Sequence, residues 1–237
     1  MKHILITGAS SGIGKALAIR CAQAGWRVTA CGRSQEKLAH LHGFDNVQTL
    51  SFDITDLQAC QQALQQLRPD IVVLNAGTCE YVDIAHWDPA LFKRVFDANF
   101  FGVVNCLAPL LPNLRPGTKL TIVDSLARCL PFTRSQAYGA SKAALHYLTK
   151  SLQTDLSQRQ IRVQSVSPGF VETPLTQKND FSMPMQISAE QAAESLFKGL
   201  QNNKASIYFP TGFALLIRTM GLLPEGIQQW LCQRMKK

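Results

Sequence analysis

The chain has 237 residues, 46% of them hydrophobic and 17% charged, with a net charge of +8. That is a globular composition with enough apolar mass for one sizeable core, and no low-complexity or linker-like stretch interrupts it, so a single domain spanning 1–237 is expected. The lysines and arginines are scattered except for the terminal Arg234-Met-Lys-Lys237, so the charge favours anionic small ligands and argues against a nucleic-acid partner.

Seven cysteines (Cys21, Cys31, Cys60, Cys79, Cys106, Cys129 and Cys232) are odd in number and widely spaced. Without a Cys-x-x-Cys pair they predict reduced, mostly buried thiols and no metal site. A run of only three apolar residues, Ile4-Leu5-Ile6, precedes Thr7-Gly8, too short for a signal peptide, and a cytoplasmic protein is expected.

Ile4-Leu5-Ile6 reads as a buried parallel strand and runs directly into Thr7-Gly8-Ala-Ser10-Ser11-Gly12-Ile13-Gly14. A helical pattern follows to Ala24-Gly25. Strand, glycine turn and helix make a phosphate cradle, because glycines let the backbone approach a pyrophosphate and the helix start offers unpaired N–H groups. Arg27 to Cys31 is the second strand. Roughly 20 residues past the glycines, where an NAD-binding fold places an acid, this chain has Gly32-Arg33-Ser34. Arg33 can pair with a 2′-phosphate, so NADP(H) is expected over NAD(H).

Val47 to Phe52 is a third strand, followed by Asp53 and Ile54, with Thr55 or Asp56 capping the next helix. Asp53 can face an adenine amino group or serve as a plain turn acid. Ile71 to Leu74 is a fourth strand, ended by Asn75-Ala76-Gly77. Trp87 to Leu114 reads as one long helix with Asn99 inside it, where a functional amide would distort the helix or order water. Leu120 to Val123, a fifth strand, delivers Asp124-Ser125.

In Tyr138-Gly-Ala-Ser-Lys142 the phenol opens a helix and the lysine shares its face four residues on. One ammonium about 4 Å from a phenol supplies roughly the stabilisation needed to lower its pKa by about 3 units. Ile161 to Val166 is the sixth strand, leading to Ser167-Pro168-Gly169-Phe-Val171-Glu-Thr173. Residues 170–187 lack periodicity and fit a flap over a site, with Leu175, Phe181, Met183 and Met185 hinting at a hydrophobic substrate. Ser188 to Gln191 predicts a capping box, and Ser206 to Phe209 a last strand. The amphipathic tail, 213–237, cannot span a bilayer; it is expected to pack on the domain or a subunit partner, with a membrane-surface patch as the second possibility. Alternating strands and helices predict an α/β, doubly wound parallel sheet of about seven strands with helices on both faces.

Six motifs, in order, resemble those of the short-chain dehydrogenase/reductase family: Thr7-Gly8-x-x-x-Gly12-x-Gly14, Asn75-Ala76-Gly77, Asn99, Ser125, Tyr138-x-x-x-Lys142 and Pro168-Gly169-x-x-x-Thr173. The resemblance covers Lys2 to about Phe209 and implies a Rossmann fold. It implies an enzyme interconverting a carbonyl and a secondary alcohol by hydride transfer, with Tyr138 as general acid/base; a catalytically silent NADP(H)-binding sensor or regulatory protein is the alternative expectation, against which the intact Ser125, Tyr138 and Lys142 weigh. It also implies that Lys142 holds the nicotinamide ribose and depresses the phenol, Ser125 binds the substrate oxygen, and Asn99 supports a water relay. Gly8, Gly12 and Gly14 would carry the pyrophosphate, Asp53 and Asn75 the adenosine side, and Thr173 the carboxamide. Family habit adds a homodimer or homotetramer. After Ser125 the family's small residues are replaced by Leu126-Ala-Arg128-Cys129, which predicts a bulkier, cationic substrate wall.

Overall fold

Ile4 and Ile6 are buried in one layer of the protein and Leu5, between them, in the other. A strand apolar on both faces needs helices on both sides. The computed structural model, which describes residues 1–235, has that arrangement. Its strands are β1 (His3–Thr7), β2 (Arg27–Gly32), β3 (Val47–Ser51), β4 (Ile71–Leu74), β5 (Lys119–Val123), β6 (Arg162–Pro168) and β7 (Ser206–Phe209). All pair in parallel, in the order β3-β2-β1-β4-β5-β6-β7.

The helices are α1 (Gly12–Gln23), α2 (Gln35–Leu38), α3 (Leu57–Leu64), α4 (Pro89–Phe96), α5 (Gly102–Leu110), α6 (Gln136–Asp155), α7 (Ala189–Gln201), α8 (Thr211–Met220) and α9 (Glu225–Arg234). Leu17 and Cys21 of α1 pack with Leu196 and Leu200 of α7 on one face of the sheet. Cys60 and Leu64 of α3, Leu107 and Leu110 of α5 and Leu145 of α6 cover the other. The chain winds outward from β1 one way and from β4 the other, so a crevice opens beyond the carboxyl ends of these two strands. Thr7 closes its floor: its hydroxyl accepts the Asn75 and Ala76 amides at 3.0 and 3.1 Å.

The helix expected from Trp87 to Leu114 is in fact interrupted. Asp88 caps α4 by accepting from the Ala90 amide at 2.8 Å, which leaves Trp87 outside and exposed. Asp97–Phe101 widens into a π-turn, and after α5 a 3₁₀ turn, Leu111–Asn113, ends the run. By length and composition Pro89–Asn113 passes as a membrane-crossing helix, but Val103, Cys106, Leu107 and Leu110 belong to the core beside α3 and α6, and Val95 packs with Val82 and Ala137. Tyr138 stands in the first turn of α6 rather than opening it, since the helix begins at Gln136. Asp56, not Thr55, caps α3 through the Ala59 amide.

β3 stops at Ser51, one residue short of expectation, and β6 runs on through Ser167 and Pro168. The capping box of Ser188 and Gln191 forms as expected. The tail packs as the amphipathic pattern favoured: Phe213, Ala214, Ile217 and Cys232 bury against Leu126 and Leu130. Lys236 and Lys237 lie outside the described residues.

The glycine turn is the tightest point of this frame. Gly8 has φ +71°, and a Cβ there would stand 2.8 Å from the Ala76 Cα. Gly8→Ala is therefore expected to destabilise by more than about 1 kcal/mol, lowering Tm by about 2–4 °C or more in a thermal melt; an unchanged melt would show that the turn relaxes.

Candidate active site

The first turn of α1 carries no acid and its N-cap, Ser11, makes no side-chain cap, so its amides open onto a cleft of about 600 Å³. A Cβ on Gly14 would lie 2.3 Å from the Gly8 carbonyl oxygen, so only a bare backbone brings turn and helix this close. A glycine cradle under an uncapped helix start fits the pyrophosphate of a dinucleotide.

Gly8, Ser10, Ser11, Gly12 and Ile13 line the cleft at β1; Arg33 lines it beyond β2; Asp53 and Ile54 line it after β3. Asn75, Ala76 and Gly77 follow β4, and Pro168, Gly169, Val171 and Thr173 close the far side. Gly14 and Asn99 stand behind this lining. Arg33, with its side chain 78% exposed, sits at the rim with its guanidinium 3.9 Å from Asp53 Oδ2. Asp53 Oδ1 is occupied by the Thr55 amide and hydroxyl, both at 2.9 Å, the ordinary work of a turn acid.

Asn99 is fully buried in the π-turn. Its Oδ1 accepts the Thr78 amide at 2.7 Å, and its Nδ2 donates to the Thr78 carbonyl at 3.0 Å and to Ser141 Oγ at 2.9 Å. The side chain thus ties the loop after β4 to α6, which accounts for the distorted helix around it.

Ser125, Tyr138 and Lys142 meet at the β5–α6 corner of the same cleft. Ser125 Oγ accepts the Ala127 amide at 3.1 Å, leaving its proton free for another acceptor. Lys142 is buried; its Nζ donates to the Val123 carbonyl at 3.0 Å and lies 5.7 Å from the centroid of the Tyr138 ring. The expected lowering of the phenol is not found. Burial pushes Tyr138 above the ordinary tyrosine range, Cys79 and Asp124 add to the rise, and the Ser125 hydroxyl opposes it. The lysine moves instead: burial brings Lys142 down to about 8, against the pull of Asp124 and Cys79. Burial is the largest cause of both shifts, since it penalises the charged form of each group.

The expected cationic wall after Ser125 is also absent. Arg128 turns inward, its Nε 3.3 Å from Asp124 Oδ2, an oxygen that also accepts from His146 Nδ1 at 2.8 Å. Asp124 is 2% exposed, and its Oδ1 has no hydrogen-bond partner among the described residues. Sequence reading passed over this acid, although its place beside Ser125 and the spacing of Lys142 and His146 were visible. It also missed Cys79, whose thiol burial pushes up to about 11, and Ser141, which links Asn99 to the Tyr138 carbonyl.

Residues 170–187 hold little regular structure but are tethered. Glu172 N and Ile187 N pair with the Ile187 and Phe170 carbonyls, closing the base of the segment. Tyr81 donates to Asn179 Oδ1 at 2.8 Å, and Arg134 to both oxygens of Asp180 at 2.9 Å. The Tyr81 ring meets Phe181 edge-on at 5.5 Å. Leu175 lines the cleft, whereas Met185 is 60% exposed.

A dinucleotide cradle on a doubly wound sheet, with a phenol, a hydroxyl and an ammonium at one corner, defines a nucleotide-dependent oxidoreductase. Residues 2–183 match the family model described as short chain dehydrogenase. The chain belongs to that family. It is 32% identical over 244 residues to an uncharacterized oxidoreductase of Myxococcus xanthus, covering 98% of this chain and 96% of that one. It is 33% identical to a serine 3-dehydrogenase of Agrobacterium fabrum, covering 83% and 80%. A short-chain dehydrogenase structure from Streptomyces avermitilis superposes with a TM-score of 0.83 at 25% identity, covering 98% of this chain and 95% of that one.

Asp124 carries the negative charge that holds the buried Lys142 ammonium against desolvation. Asp124→Asn keeps the shape and removes the charge, so Lys142 titrates at lower pH. The alkaline limb of the activity profile is expected to move toward neutral pH relative to the parent; an unmoved limb would remove Asp124 from the charge balance of the corner.

Proposed function

We propose that the chain is an NADPH-dependent carbonyl reductase, running in reverse as a secondary-alcohol dehydrogenase. The observation that carries this reading is the convergence of Ser125, Tyr138 and Lys142 on one corner of the nucleotide cleft. When bound, the reduced nicotinamide supplies a hydride to the carbonyl carbon. Ser125 donates its free proton to the carbonyl oxygen, and Tyr138, held neutral by burial, delivers its own proton to that oxygen as negative charge develops there. Lys142 stays protonated at neutral pH, orients the ribose and compensates the tyrosinate left behind. Asn99 sets the π-turn that positions Thr78 and α6 and supports the water relay that returns the proton. Gly8, Gly12 and Gly14 receive the pyrophosphate, Asp53 and Asn75 the adenosine side, and Thr173 the carboxamide.

Arg33 at the rim, with Ser10 and Ser11 as neutral donors, supports NADP(H) over NAD(H). The rings of Phe170 and Phe181 in the segment 170–187, taken as the substrate flap, with Tyr81 packed against Phe181, support a hydrophobic carbonyl rather than serine. Phe101 and Tyr147 are 51% and 80% exposed on the π-turn and on α6, which support a homodimer or homotetramer. Seven free thiols support a cytoplasmic setting.

Tyr138→Phe removes the proton donor and keeps the ring. Assayed by NADPH consumption over a panel of aliphatic and aromatic ketones with serine oxidation as the control, it is expected to lose about 10²–10⁴-fold in turnover while NADPH binding holds within a few-fold. Retained turnover would take Tyr138 out of the chemistry. Arg33→Ala is expected to weaken NADPH about tenfold or more, from the loss of a charge-assisted pair with the 2′-phosphate, and to leave NADH binding unchanged. Equal losses for both nucleotides would overturn the cofactor preference.

A further inference from the structure

The last two helices are not used by the proposed chemistry. α8 buries Phe213, Ala214 and Ile217 and turns Leu215 and Leu216 outward. The turn after it presents Leu222, 86% exposed, and Leu223; α9 presents Ile227 and Trp230, and Met235 follows. Seven of the sixteen large apolar side chains exposed among the described residues therefore fall after residue 210, a density that scattered surface hydrophobes do not reach.

The charge of this segment is predominantly positive. From Thr211 to the end the sequence holds Arg218, Arg234, Lys236 and Lys237 against Glu225 alone. Arg234 lies over the Trp230 ring at 4.3 Å and Arg218 over Tyr208 at 4.2 Å, so each cation sits beside an aromatic face. An apolar face with basic side chains and a tryptophan at its margin is complementary to the boundary between lipid tails and anionic headgroups. A second copy fits less well, because a two-fold contact would bring these like charges together.

We propose that the α8–α9 surface docks on anionic lipid bilayers, with Leu222, Leu223 and Trp230 entering the headgroup boundary and Arg218 and Arg234 meeting lipid phosphates. The surface is joined to the active corner. Phe213, on the inner face of α8, stacks on Phe170 at the base of the flap with ring centroids 5.3 Å apart, and Leu126, next to Ser125, packs in the same cluster. Delivery of a hydrophobic carbonyl from the bilayer to that corner rests on the reductase reading; the docking does not.

The test is co-sedimentation of the full chain with phosphatidylglycerol vesicles, with phosphatidylcholine vesicles as the neutral arm and Trp230 emission as a second readout. The expected result is partition to phosphatidylglycerol that falls as salt rises, a blue shift on binding, and a tenfold or greater loss in Leu222→Glu/Leu223→Glu. Both leucines are exposed, and an unchanged melting temperature certifies the variant. No partition to phosphatidylglycerol, equal partition to both lipids, or equal partition by parent and variant overturns the proposal. So does a lipid-free dimer that the variant splits, which would assign the face to a second copy. Vesicle binding is read without turnover, so a failed ketone assay and a failed docking assay remain separate results.

Discussion

A single threonine hydroxyl holds the crevice together. Thr7 ends β1, and its oxygen accepts two successive amides from the turn that ends β4, while the Asn75 side chain donates back to the Thr7 carbonyl at 3.1 Å. In a parallel sheet whose winding reverses between these strands, the β1–β4 ladder reaches only to Ile6 and Val73, so the two turns beyond it need a further tie to fix their separation. The Thr7–Asn75 bonds supply it. They set how closely Gly8 approaches Ala76, and through that approach where the N-terminus of α1 points.

The same economy of contact explains the corner at β5. A buried ammonium, a buried carboxylate and a phenol share one low-dielectric region, where each charge must be matched or given up. Asp124 is matched by Arg128 and His146, and Lys142 by the Val123 carbonyl and the field of Asp124. Tyr138 has only the Ser125 hydroxyl on its side, so it stays neutral, the form needed to give a proton away. The raised phenol and the lowered lysine are two results of one desolvation.

Much of this was legible in the sequence, and the parts that were not share a cause. Ile4 to Ile6, Ile71 to Leu74 and Leu120 to Val123 read as buried strands because sheets covered on both faces need unbroken apolar runs. The glycine turn and the Tyr138–Lys142 pair were readable because their constraints are local: a bare backbone and a helical spacing of four. The π-turn was not, since Asn99 bends the helix only once Thr78 and Ser141, far apart in the chain, have been brought to it. Arg128 was misread for the same reason: its place in the stretch after Ser125, where the family has small residues, suggested a cationic wall, but its charge is spent on Asp124 inside the protein. Which face a charged side chain chooses is decided by tertiary partners, and local pattern does not contain them.

The tail extends this logic from the interior to the surface. Its inner face was predictable as packing, and Phe213, Ala214 and Ile217 do pack, but the outer face of the same helix is also apolar. A helix that is apolar on two sides has two neighbours to satisfy, and the fold provides one. Because the inner neighbour includes Phe170 and Leu126, any load on the outer face is carried by residues that border the segment 170–187 and Ser125. The segment 170–187 is held at its far end by the exposed Arg134–Asp180 pair, which water can replace at little cost, and by the part-buried Tyr81–Asn179 bond with the Tyr81–Phe181 ring contact. Its near end rests on the aromatic contact with α8, which water cannot replace.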